Sequence, residues 1–263
     1  MIKRVINLVM LFYSMTLFAG NEITCVPESL NSEDRYYSKY LNANGIPVLA
    51  SENVDDKALI AAKGIIVDML SKDKKVANYM SSNGCKVMII GHKEEVLDLP
   101  EYRHLATTQE ERDFLNKRAR GFGGAPEDGS AASCGEENLI FLDGDRYVGE
   151  NILIHEFAHL IHLAGLNIVY DDFDSRLEAL FIKAKSNKLW ENTYAMENKE
   201  EYFAEAVQSF FNANRYSNPT NGIHGQLSDR KSLKKGDKEM YDFLCKYFKK
   251  ADKVYCVNPN EKQ

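Results

Sequence analysis

The chain has 263 residues, 44% hydrophobic and 27% charged, with 39 acidic against 33 basic side chains and a net charge of −6. That balance supports a globular core of one domain or two small ones. It lacks the basic excess on which binding to nucleic acid or anionic lipid relies, so no nucleic-acid partner is expected.

In chain order, Lys3 and Arg4 precede a nearly continuous apolar run from Val5 to Ala19, and polarity returns at Asn21. The pattern predicts a secretory signal peptide over residues 1–20 and a secreted, extracellular protein. The run is shorter than the roughly 20 residues of a spanning helix, so no stable membrane insertion is expected after cleavage. Without Lys3 and Arg4 the remaining chain has 31 basic and 39 acidic side chains, a net charge of −8. Five cysteines follow: Cys25, Cys85, Cys134, Cys245 and Cys256. Secretion permits disulfides, and five is odd; Cys25 and Cys256, near opposite ends, form the candidate pair. The chain contains no C-x-x-C, which argues against cysteine-based zinc binding.

Residues 21–45 read as irregular or a short helix. Ile46 to Ala50 and Lys86 to Gly91 read as strands, with a helix over 55–71 between them from apolar residues three or four apart. The polar, Gly-rich stretch 100–137 reads as loop with one short helix at 109–118. Leu139 to Leu142 reads as a third strand closed by Asp143-Gly144-Asp145. Helices are predicted at 148–164, ending at Gly165 as a C-cap, and at 174–187, 198–213 and 237–249. Lys234-Lys235 reads as a solvated helix start. Strands with helices, followed by helices, predict one α+β domain over residues 21–263, with a candidate boundary between two lobes near residue 130.

The helix at 148–164 carries His155-Glu156-Phe157-Ala158-His159. Two histidines four apart project from one helix face and can grip a single ion. Glu156 follows the first ligand and sits beside the open position, where it can take a proton from water. The spacing therefore predicts a zinc metallopeptidase with one Zn2+ per chain, His155 and His159 as ligands and Glu156 as general base. A catalytic zinc site needs a third protein ligand. His162 lies two turns from His155, roughly 10 Å along the axis, and cannot share that ion; it reads as a packing residue. The pattern H-E-x-x-H-x-x-G-x-x-H is excluded, because His162 and Gly165 stand where it needs Gly and His. Glu178, Glu201 and Glu205 remain as candidates, Glu178 reading more simply as a surface carboxylate. Glu201 and Glu205 are four apart and face the same way, so one could bind metal while the other orients a ligand histidine.

The run Glu201-Tyr202-Phe203-Ala204-Glu205, with Tyr194 seven residues before it and Asn198 between, resembles the catalytic domain of anthrax lethal factor and its relatives, of the gluzincin clan. The segments Tyr37 to Ala50 and Cys134 to Ile140 resemble stand-alone secreted members more weakly; residues 150–210 carry the specific motifs. The resemblance implies a zincin-like fold with a small sheet, an active-site helix and a helical C-terminal half. It implies Glu201 as third zinc ligand, Glu205 as the partner that orients a ligand histidine, and Tyr194 as the catalytic tyrosine that stabilises the oxyanion with zinc. It further implies that strand 139–142 is the edge that pairs with an extended peptide or protein substrate, bordered by the Gly-rich loop 120–135. Ligation of zinc by Cys134 is a weaker alternative. The rival readings are a zinc-binding protein without peptidase activity, a zinc hydrolase acting on a non-peptide substrate, and a toxin protease of narrow specificity.

Overall fold

The structure is a computed structural model that describes residues 22–124 and 130–256. The signal peptide expected over 1–20 lies outside the described residues.

The first hairpin is written into Asn44-Gly45. Both residues have positive φ (53° and 95°), the geometry of a two-residue turn matched to strand twist. They join β1 (Lys39–Ala43) to β2 (Ile46–Ala50), antiparallel, with Ala43 opposite Ile46. The expectation of an irregular or helical 21–45 fails here, because an Asn-Gly pair between apolar residues is a hairpin signal. After β2, the Asp55 side chain accepts from the Lys57 backbone N–H and starts α1 (Asp56–Met69). This helix buries Leu59, Ala62, Ile66 and Met69 at helical spacing. A second helix, α2 (Lys74–Ser82), capped by Asp73, leads into β3 (Lys86–Ile90), parallel to β2. Helix α3 (Gln109–Arg118) begins in a Thr108–Glu111 capping box and matches the predicted 109–118.

The next segment departs from the sequence reading. The fourth strand is β4 (Ala131–Gly135), parallel to β3, inside the stretch expected to be loop. It contains no β-branched residue, and all five of its residues are buried. The predicted strand 139–142 is instead the end of a short helix, α4 (Glu136–Ile140), stopped by Phe141 in the left-handed conformation. Long-range hydrogen bonds decide the outcome. Glu136 accepts from the backbone N–H groups of Asp55 and His92, and the Asn138 side chain accepts from Ile152 N–H. A four-residue apolar run does not distinguish strand from helix by periodicity.

Among the described residues the sheet order is β1-β2-β3-β4. Its side chains alternate: Val48, Ala50, Val87, Ile89, Ala132 and Cys134 join the main core, while Leu49, Met88, Ile90 and Ala131 meet Tyr37, Val96, Leu97 and Tyr102 on the other face.

The C-terminal half is helical. α5 (Ile152–Ile161) runs through a π-helical turn (His162–Leu166) into α6 (Asn167–Val169). The helix thus starts later than predicted and does not end at Gly165. That glycine lies inside the π turn, where an added Cβ would stand 2.9 Å from Val76 and 3.1 Å from Met80. By length and composition Ile152–Val169 could cross a membrane, but 72% of it is buried inside the protein. There follow α7 (Phe173–Ser186), α8 (Lys199–Phe210), α9 (Arg230–Gly236) and α10 (Lys238–Tyr247). Lys234 and Lys235 occupy the last turn of α9, not a helix start; there they complement the C-terminal end of the dipole. The five cysteines carry free thiols, so the candidate Cys25–Cys256 pair is not formed. Cys25 follows the bridge of Thr24 to Tyr40, whereas Cys256 lies against the Asn212 carbonyl beyond α8.

Candidate active site

Helix α5 starts where the Asn151 side chain accepts from Ile154 N–H at 3.0 Å. Leu153, Ile154, Phe157, Ala158 and Leu160 are fully buried, each large one contributing roughly 1.5–3 kcal/mol by leaving water. That burial fixes the helix rotation and turns His155, Glu156 and His159 into a cleft of about 720 Å³. Helix α8 packs against α5. Its cap, Asn198, accepts from Glu201 N–H at 2.8 Å and holds Glu201 in the first turn.

Three ligand atoms converge. His155 Nε2 lies 3.2 Å from His159 Nε2 and 3.0 Å from Glu201 Oε2, which is 3.3 Å from His159 Nε2. Tetrahedral zinc with bonds of about 2.0–2.1 Å sets its ligand atoms about 3.3 Å apart, so the set fits zinc. Of the described His, Cys, Asp and Glu side chains, only this trio offers such a cluster.

The field at the trio favours positive charge. Burial opposes protonation of His155, yet Glu201, Glu156 and Glu205 outweigh it and raise its pKa to about 10. Burial also raises the carboxyls of Glu156 and Glu205, whereas Glu201 is held far below the usual carboxylate range: its burial penalty is overcome by His155 and His159. A site that holds a buried imidazole protonated also favours a divalent cation.

The partner of His155 Nδ1 was missed in the sequence. Gln208 Oε1 lies 2.9 Å away, while Glu205 Oε1 is 3.7 Å away and Glu205 Oε2 accepts from Asn214. Gln208 lies one turn after Glu205 on the same face of α8, and that spacing was the available signal. Tyr194 stands in a short turn after α7, its backbone N–H donating to the Ile223 carbonyl. Its hydroxyl donates to Glu201 Oε1 at 3.2 Å, and its ring lies nearly parallel to His155.

The remaining candidates lie elsewhere. His162 is fully buried between Phe173 and Phe203, with Nε2 3.2 Å from Asp174. Glu178 pairs with Lys199 on the surface. Cys134 is buried within β4 and is not among the converging ligands.

The edge expected at 139–142 is replaced by 121–124, which pairs with β4: Gly124 N–H donates to Ala131 and Ser133 N–H to Phe122. A Cβ added at Gly123 would stand 2.4 Å from the Glu156 carbonyl oxygen and 2.8 Å from His159 Cβ. Only glycine therefore lets this segment lie against the motif helix.

No protein-family model matches the sequence. No curated protein matches it either. Among solved structures, the Pro-Pro endopeptidase PPEP-2 from Paenibacillus alvei matches with a TM-score of 0.49 and 20% identity, over 76% of this chain and 97% of that one.

Proposed function

We propose that this chain is a secreted zinc metalloendopeptidase with a zincin-like fold, of the lethal-factor-like gluzincins. The observation that carries the reading is the convergence of His155, His159 and Glu201 at the floor of an open cleft that Glu156 also lines. In such a His2Glu set, zinc supplies Lewis acidity, lowering the pKa of water towards roughly 7 and polarising a carbonyl. Glu156 takes a proton from the attacking water and delivers it to the leaving amine. The Tyr194 hydroxyl donates to the oxyanion, a contribution worth about 3–4 kcal/mol. Gln208 orients His155 from behind, and the Glu205 carboxylate, 3.7 Å from His155 Nδ1, adds negative charge there. The segment 121–124, which pairs with β4 on one side and lines the cleft, lies beside the path of an extended substrate. Secretion rests on the leader-like residues 1–20.

The test is digestion of a diverse peptide library by the zinc-loaded protein beside Glu156→Ala, with cuts read by mass spectrometry. Cuts made by the wild type alone are expected. No cuts by either form, with one zinc bound per chain, would move the assignment to a non-peptide substrate or a binding role.

A further inference from the structure

Three arginines line the cleft: Arg118, Arg146 and Arg215. Arg146 donates to the carbonyls of Asn116 and Lys117, closing the C-terminal end of α3. Arg118 and Arg215 are exposed, and among the described residues neither side chain makes a hydrogen bond or ion pair. Two unpaired cations facing one cleft stand out in a chain of net charge −6.

The backbones that carry them are held firmly. Arg118 lies two residues before Arg120, whose buried guanidinium is bidentate to Glu137 at 2.6 and 2.8 Å and also donates to the Gly91 carbonyl. Arg215 follows Asn214, whose amide donates to Glu205 at 2.8 Å. The loop beyond Arg215 is pinned where His224 Nε2 meets Glu150 at 3.1 Å, both side chains buried. Most carboxylates of the cleft already have partners: Glu150 has His224, Glu205 has Asn214, Glu201 has both histidines and Tyr194, and Glu200 lies 3.7 Å from Lys199. Glu156 is left beside the metal-ligand trio, and the guanidinium groups of Arg118 and Arg215 are left without a hydrogen-bond or ion-pair partner among the described residues.

We infer that Arg118 and Arg215 select peptides carrying acidic side chains on the residues flanking the scissile bond. The inference rests on the metallopeptidase reading and names its substrate class. A guanidinium engages a carboxylate through two N–H donors in a preformed fork, and the anchored backbones leave only the side chains to be ordered on binding. A lysine or arginine at the same substrate positions meets like charge.

The test is the same library digestion with the full zinc-loaded chain, scored for charge within four residues of each cut. Asp and Glu are expected to be enriched over Lys and Arg. Arg118→Glu and Arg215→Glu should each shift that ratio roughly tenfold towards basic residues, and Arg118→Gln and Arg215→Gln should lower it without reversal. Binding of one acidic and one basic fluorescent peptide to Glu156→Gln, at low and high salt, reads the same preference without turnover. Cuts without charge bias, or an unchanged bias in folded, zinc-loaded variants, overturn the inference and leave the peptidase reading standing. Absence of all cutting with zinc bound overturns the peptidase reading and this inference with it.

Discussion

His155 is held from behind by Gln208, with Nδ1 2.9 Å from Oε1. The Gln208 amide nitrogen donates to the Asn151 carbonyl at 3.1 Å, an acceptor that can only face N–H, so Oε1 must face the imidazole. His155 therefore carries its proton on Nδ1 when neutral, and Nε2 is left to bind metal. Gln208→Ala should weaken zinc binding by about 10–100-fold, measured by competition with a chromogenic chelator. Unchanged affinity would remove Gln208 from the site.

Zinc affinity should depend steeply on pH. With its pKa raised to about 10, His155 is protonated at neutral pH in the metal-free protein and must release that proton on binding. Affinity should rise about tenfold per pH unit below that value, and calorimetry in two buffers should show proton release. In the metal-free protein the sign for stability is opposite. A raised folded pKa gives stabilisation that is complete below the unfolded value near 6.5 and is lost as pH rises through about 10. A metal-free melting temperature that climbs between pH 7 and 10 would contradict this.

Burial, then Glu201, pushes the Tyr194 hydroxyl up to about 12, so it remains a donor across the neutral range. Tyr194→Phe should lower kcat by about 100- to 1,000-fold with zinc content unchanged. Loss of zinc in this variant would assign the hydroxyl a role in building the site through Glu201.

Gly123→Ala should separate the segment 121–124 from α5, since its Cβ would lie inside contact distance of Glu156 and His159. A destabilisation of about 1–3 kcal/mol is expected, with kcat/KM falling further than stability alone explains. Denaturant melts beside kinetics on the folded variant separate the two effects.

Arg120→Met should cost about 3–5 kcal/mol by stranding the buried Glu137 carboxylate. Arg120→Met combined with Glu137→Leu should recover much of that loss in chemical denaturation.

The local parts of this protein are legible in the sequence because their causes are local. The four-residue spacing of His155 and His159 fixes both on one helix face, and Asn198 three residues before Glu201 sets a helix start. The short apolar runs Ile46–Ala50 and Lys86–Ile90 make two buried strands. The tertiary structure decided the rest. Ala131–Gly135 is a strand because its small side chains fit between packed layers, and Glu136–Ile140 is a helix because Asp55, His92 and Ile152, distant in sequence, supply its hydrogen bonds. Gln208, not Glu205, meets His155 Nδ1 because the packing of α8 on α5 sets which turn faces the imidazole. The placement of Arg118 and Arg215 on one cleft depends on contacts between residues far apart in the chain, which no spacing pattern records.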